Sequence, residues 1–272
     1  MRITATSLWS MTLLCILSLF SSCQKEAATI AAKNQEEFSS QDQRMIGERM
    51  IDQVREDDHN FPIFASDNTA FDEELNVYLT KLLQTVAISV PVVNRNNFDW
   101  GVTVIDAPDI HLFTAPGGHF FVYTGLLKAL DSEAELIAIM AHELAYADQG
   151  KTILSLKNEF GGVVMGDILL GNQVASIDNM ALWLRDLSFS EEEVLAADQY
   201  ALNVVCPYLY DNEGLRSAIM RLDDVAERTV DWLIRRPGTV KRLELLEDAE
   251  AQDCGSNESD FAYRYQAIVA RL

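Results

Sequence analysis

Residues 131–146 read Asp131-Ser132-Glu133-Ala134-Glu135-Leu136-Ile137-Ala138-Ile139-Met140-Ala141-His142-Glu143-Leu144-Ala145-Tyr146. Ser132, with Glu135 three residues on, is the pattern of a capping box, which satisfies the free amides of a first helical turn. Apolar residues then recur at Leu136, Ile137, Met140 and Leu144, the spacing of one helical face. The run therefore predicts a helix over 132–148. His142 and Glu143 stand side by side within it, in an apolar stretch where ionisable side chains are costly unless they are paired or in use.

Upstream, Phe113-Thr-Ala-Pro116-Gly117-Gly118-His119-Phe120-Phe121-Val122-Tyr123-Thr-Gly125-Leu-Leu127 gives a Pro-Gly-Gly turn, an aromatic and β-branched strand, and a Gly before the next element. Periodicity elsewhere predicts helices over 42–57, 70–86, 124–130, 150–160, 190–205, 213–227 and 239–250, and strands over 99–105 and 118–123. The apolar stretch from Phe160 to Leu170 is interrupted by glycines and too short to span a bilayer, so it reads as a packed hairpin or lid. Trp183 and Trp232 read as core anchors.

In a helical His-Glu-x-x-His run, two imidazoles one turn apart grip a zinc ion and the glutamate polarises the metal's water. Here His142 and Glu143 are in place and Tyr146 stands at the fifth position. Together with the Pro-Gly-Gly strand and the Gly-Leu-Leu step, the run resembles the HtpX-like family of zinc metallopeptidases, relatives of the CAAX prenyl endopeptidase. The resemblance extends to Ile46-Gly47 and Tyr78, to Ala197-Asp198, and to Arg236-Pro237-Gly-Thr-Val-Lys-Arg242-Leu243, covering residues 40–250. It implies an α+β, mainly helical fold, a zincin-like metallopeptidase domain with a small β-sheet and an active-site helix.

The departures from that family fall on its chemistry. Its second ligand histidine is Tyr146, and its third ligand, a Glu four residues before Asp198, is Val194. Glu193 lies one residue away, about 100° around the helix. The histidine of the terminal His-Pro is Arg236, and His111 stands where the family usually has Asn. By the resemblance, His142 is a vestigial metal ligand, Glu143 a vestigial catalytic carboxylate, and Asp198 the group that orients His142. His142 also reads simply as a buried imidazole bonded to Asp198. Gly118, His119 and Phe120 lie on the strand that lines the family's substrate groove, where an extended polypeptide would add to an exposed edge. One histidine and a neutral phenol fall short of the three protein ligands zinc requires. No cofactor is therefore expected, or zinc if a rearranged ligand set, with His119 approaching, is alive.

At the N-terminus, Met1-Arg2, an apolar run from Leu8 to Phe20, and Ser21-Ser22-Cys23 make a lipoprotein signal, with Cys23 lipidated. The alternative is ordinary secretion. The expected organisation is a signal over 1–22, a tether over 23–41, a metallopeptidase-like domain over 42–250 and a C-terminal extension over 251–272. That leaves Cys206 and Cys254 as an even pair in an oxidising compartment, and a disulfide between them is expected. The alternative is two unrelated buried thiols. The chain has 272 residues and a net charge of −21, which repels nucleic acid and anionic headgroups. Membrane contact is thus expected through the lipid anchor, on the periplasm-facing side of a bacterial cell envelope. Three functions remain open: a non-catalytic binder of unfolded or extended polypeptide or of an envelope partner protein, an active zinc metalloendopeptidase in envelope protein quality control, and a structural envelope protein.

Overall fold

The structure, a computed structural model, describes residues 37–172, 174–208, 210–211, 213–225, 231–249 and 259–272. Cys23 and Cys254 lie outside the described residues, and so do the expected signal and most of the tether.

Helix α1 (Ser40–Glu56) opens on a complete capping box, Ser39 with Asp42. Helix α2 (Thr69–Ala87) is capped by the Asn68 side chain. Three short strands follow: β1 (Gly101–Ile105), β2 (Leu112–Ala115) and β3 (His119–Tyr123). Helix α3 (Thr124–Ala129) then leads into α4 (Glu133–Asp148), the helix of the opening motif, in which every residue is buried. Ser132 accepts the Glu135 amide as expected, but the Glu135 carboxylate reaches one residue further back, to the Asp131 N–H at 2.7 Å.

The sheet order is β1-β3-β2, with β3 parallel to β1 and antiparallel to β2. This corrects the expected exposed edge at His119–Tyr123: β3 is the central strand, hydrogen-bonded on both sides. Its side chains alternate between two cores. Phe120 and Val122 join a core built with α2 and α4, while Phe121 and Tyr123 join a second core built with α1. Burial on both faces explains why the strand reads as an unbroken apolar run. Strand β2, not anticipated as a separate strand, is likewise wholly buried.

The second core is closed by α5 (Lys151–Phe160), α6 (Gly162–Leu170) and α7 (Val174–Arg185). The expected hairpin over 160–170 is thus a helix, set between Gly161 and Gly171, which take φ of 83° and 84°. Glycines here end the helix and do not bend a hairpin. Helix α8 (Glu191–Val205) has a full capping box from Ser190 and Glu193 and packs along α4. Helices α9 (Gly214–Asp224), α10 (Asp231–Ile234) and α11 (Thr239–Ala249) complete the first core. The C-terminal segment does not stand apart: α12 (Ala262–Val269) buries Tyr265, whose hydroxyl donates to the Leu127 carbonyl at 2.7 Å, and Arg264 pairs with buried Glu133. Among the described residues, no helix is long and apolar enough to cross a membrane.

Candidate functional site

The site lies where α4 meets α8. Residues 142 and 146 lie one turn apart on α4, and 194 and 198 one turn apart on α8, so four side chains converge between the helices. His142 Nδ1 lies 2.7 Å from Asp198 Oδ1. A carboxylate can only accept, so Nδ1–H is the donor and Nε2 is left as an acceptor. Tyr146 fills that place: its hydroxyl donates to His142 Nε2 at 3.1 Å. His142 is wholly buried, and burial depresses its pKa more than Asp198 raises it, so the ring is neutral.

Glu143 meets a guanidinium. Arg236 Nε and Nη2 donate to its two carboxylate oxygens at 2.8 and 2.9 Å, and Trp232 Nε1 donates to Oε1 at 2.9 Å. Burial would raise the Glu143 pKa, but Arg236 outweighs it and holds the carboxyl below its ordinary value. A second fork lies beside the first: Arg242 Nε and Nη2 donate to Asp198 at 2.7 and 2.9 Å. Burial opposes the Asp198 charge as well, and the His142 ring and Arg242 more than offset it. All four ionised side chains are almost wholly buried, and such a cluster persists only when each charge is matched and hydrogen-bonded.

The remaining space is closed by rings. Phe189 stacks on Tyr146 with centroids 3.6 Å apart and planes 1° from parallel. The Arg236 guanidinium lies over both rings, at 5.1 and 4.8 Å from their centroids. Burial pushes the Tyr146 phenol well above its ordinary pKa, so it stays neutral. Val194 faces inward, fully buried, at the position expected to have lost its carboxylate. Glu193 turns away, caps Ser190 and pairs with Lys151 at 3.0 Å, as the helical offset requires.

The structure therefore brings His142, Glu143, Tyr146, Val194 and Asp198 together, and it adds Arg236, Arg242, Trp232 and Phe189. Arg236 as the Glu143 partner was not anticipated; the signal was an arginine in the family's histidine position, close to the apolar Trp232-Leu-Ile run. His119 stays away from the site: its Nε2 lies 2.8 Å from Thr103 Oγ1, and burial brings its pKa down to about 4. Phe120 is fully buried, and Gly118 lies against the Trp100 ring. Those three residues lie on or beside a strand that is hydrogen-bonded on both sides, so they offer no free strand edge to a peptide. His111 donates from Nε2 to the Arg185 carbonyl at 2.8 Å, and burial likewise brings it to about 4. Among the described residues, no group of three or more His, Cys, Asp and Glu could hold a metal ion.

A cavity of about 1000 Å³ opens nearby, between residues 90–97 and α8, and its floor includes Tyr146 and Tyr200. The 90–97 wall is pinned by buried Asp148, which accepts the Val93 and Asn94 amides at 3.0 and 2.7 Å and the Tyr200 hydroxyl at 2.6 Å.

The sequence profile of peptidase family M48 matches residues 73–250 of the chain. Among curated relatives, the mitochondrial metalloendopeptidase OMA1 of Bos taurus is 38% identical over 148 residues, 53% of this chain and 27% of the relative. OMA1 of Arabidopsis thaliana is 26% identical over 157 residues, 57% of this chain and 32% of the relative. OMA1 of Schizosaccharomyces pombe is 25% identical over 183 residues, 63% of this chain and 52% of the relative. The chain thus spans about a quarter to a half of the length of these relatives.

Proposed function

The chain belongs to peptidase family M48, and we propose that it is a non-catalytic member, a lipid-anchored protein of the bacterial cell envelope that binds polypeptide without cleaving it. Within the family, the order of Pro116-Gly-Gly, Gly125-Leu-Leu127 and the His142-Glu143 helix supports an HtpX-like affiliation. One observation carries the non-catalytic reading: both oxygens of Glu143 are committed to Arg236. A carboxylate that accepts three buried donors, two of them from a guanidinium, has a depressed basicity and is a poor general base.

The donor set does not fit a zinc ion. Zinc requires at least three protein ligands. His142 Nε2 already accepts from Tyr146. Val194 has no donor atom. The Arg236 guanidinium beside Glu143 would repel a dication at this distance. Polypeptide binding is supported by the cavity over Tyr146 and Tyr200, which combines apolar Val90 and Val93 with the amides of Asn97, Gln199 and Asn203. Lipid anchoring is supported by the Ser22-Cys23 sequence after an apolar run.

The deciding measurement is zinc per chain, by elemental analysis of protein purified without a metal-affinity tag. We expect no stoichiometric zinc. Tyr146→His with Val194→Glu restores the ligands but leaves Arg236 in place. Adding Arg236→His should raise the zinc content to about one per chain. The relatives' names as metalloendopeptidases favour a second reading, a living site with rearranged ligands. Stoichiometric zinc in the wild type, abolished by His142→Ala, would establish that second reading in place of the first.

A further inference from the structure

Helix α6 carries a single charged side chain, Asp167, in nine residues: Gly162-Val163-Val164-Met165-Gly166-Asp167-Ile168-Leu169-Leu170. Met165 and Ile168 face inward, in the core that holds Ile46 and Met50. The other side exposes two apolar side chains, Val163 at 81% and Leu170 at 76%, with the half-buried Asp167 beside them. Gly162 and Gly166 lie open, with no neighbouring heavy atom within 4 Å of where a Cβ would stand. An exposed apolar patch on a helix marks a contact surface, and among the described residues α6 is covered on one side only.

The place where the chain enters the domain indicates what covers the other side. Phe38 packs into the same core as Met165 and Ile168. Glu37, the first described residue, pairs with Lys157 on the last turns of α5, just before α6 begins. The chain ahead of Glu37 therefore leaves the domain on the side that carries α6. Residues 24–36 separate Glu37 from Cys23, a stretch that reaches at most roughly 45 Å when fully extended. A bilayer holding the N-terminus is within reach of α6, and the tether keeps it there at high effective concentration.

We propose that the outward face of α6 docks on the surface of the bilayer that holds the N-terminus, with Val163 and Leu170 seated at the boundary between headgroups and acyl chains. The proposal rests on the lipid-anchor reading given above. The contact is apolar, because α6 carries no Lys or Arg and the chain's charge of −21 disfavours anionic lipid. A zwitterionic surface suits it best, and the bare backbone at Gly162 and Gly166 lets the helix lie close to that surface.

The test uses the full chain in phosphatidylcholine vesicles, with a photo-crosslinking residue at position 163. A control carries the same residue at position 263, where the native Tyr263 is 93% exposed. Flotation of protein with vesicles reads the anchor, and mass analysis of the adduct reads the docking. Flotation with lipid adducts at 163 well above those at 263 supports the proposal. Flotation with no lipid adduct at 163, or with an adduct to residues 1–36 or to a second copy of the chain, overturns the docking and leaves the anchor standing. Failure to float overturns both.

Discussion

Arg236 and Glu143 meet through two hydrogen bonds at 2.8 and 2.9 Å with almost no solvent access to either side chain. Removing one partner strands a buried charge, which costs far more than the pair contributes as a whole. Arg236→Ala should therefore destabilise the protein by roughly 3–5 kcal/mol, while Arg236→Met combined with Glu143→Leu should be close to neutral. Urea denaturation of Arg236→Met, Glu143→Leu and the double variant measures this cycle; additive losses would show that the fork is not formed. Asp198→Ala strands Arg242 and His142 together and should cost about as much as Arg236→Ala. The Asp198–His142 bond was legible in the sequence, because each residue stands at a family position that calls for the other. The Arg236–Glu143 pair was not, because 93 residues separate the partners and no local pattern links them.

Helix α1 owes its position to Gly47. A Cβ there would lie 1.9 Å from the Pro116 carbonyl oxygen, inside the turn between β2 and β3. Gly47→Ala must push the helix off the sheet, and it should cost about 1–3 kcal/mol through overpacking. Gly166→Ala meets open space inside a helix and should instead stabilise by roughly 0.5–1 kcal/mol. Opposite shifts of the denaturation midpoint are the expected outcome; a Gly47→Ala variant as stable as wild type would refute the close approach. At this scale, α1, α4 and α8 were readable to within a few residues, α4 from the Ser132 cap and the other two from apolar periodicity, while the caps at Ser39 and Ser190 emerged only in the structure. Helix α6 was missed because glycines at 161, 162, 166 and 171 imitate hairpin punctuation. The central position of β3 was misjudged because strand order depends on partners distant in sequence, although the uninterrupted Phe120–Tyr123 run carried the signature of a strand buried on both faces.

Across the whole molecule, His111 and His119 are each held at a pKa of about 4 by burial, with the Arg55 charge a lesser cause at His119. The unfolded chain takes up protons on these rings near pH 6.5, where the folded chain cannot. Stability from this source is therefore present above pH 6.5 and is lost as the pH falls towards 4, by up to roughly 3 kcal/mol per ring. Denaturation midpoints at pH 7 and pH 5 should show the fall, and replacing both rings with Asn should reduce it to the share of His142, whose pKa burial also lowers. Glu143 and Asp198, whose pKa values are depressed below the carboxylate norm, lose their contribution only in more acidic solution. Glu143 and Asp198 are balanced by Arg236 and Arg242, two cations built into the polypeptide. Where a core is closed by a bound ion, maturation waits on metal supply and chelation reverses it. Here the countercharge arrives with translation. The melting temperature should be indifferent to EDTA, and a drop of several degrees would show an ion in the core. A scaffold that finishes itself in this way can be made and kept in a compartment starved of transition metals.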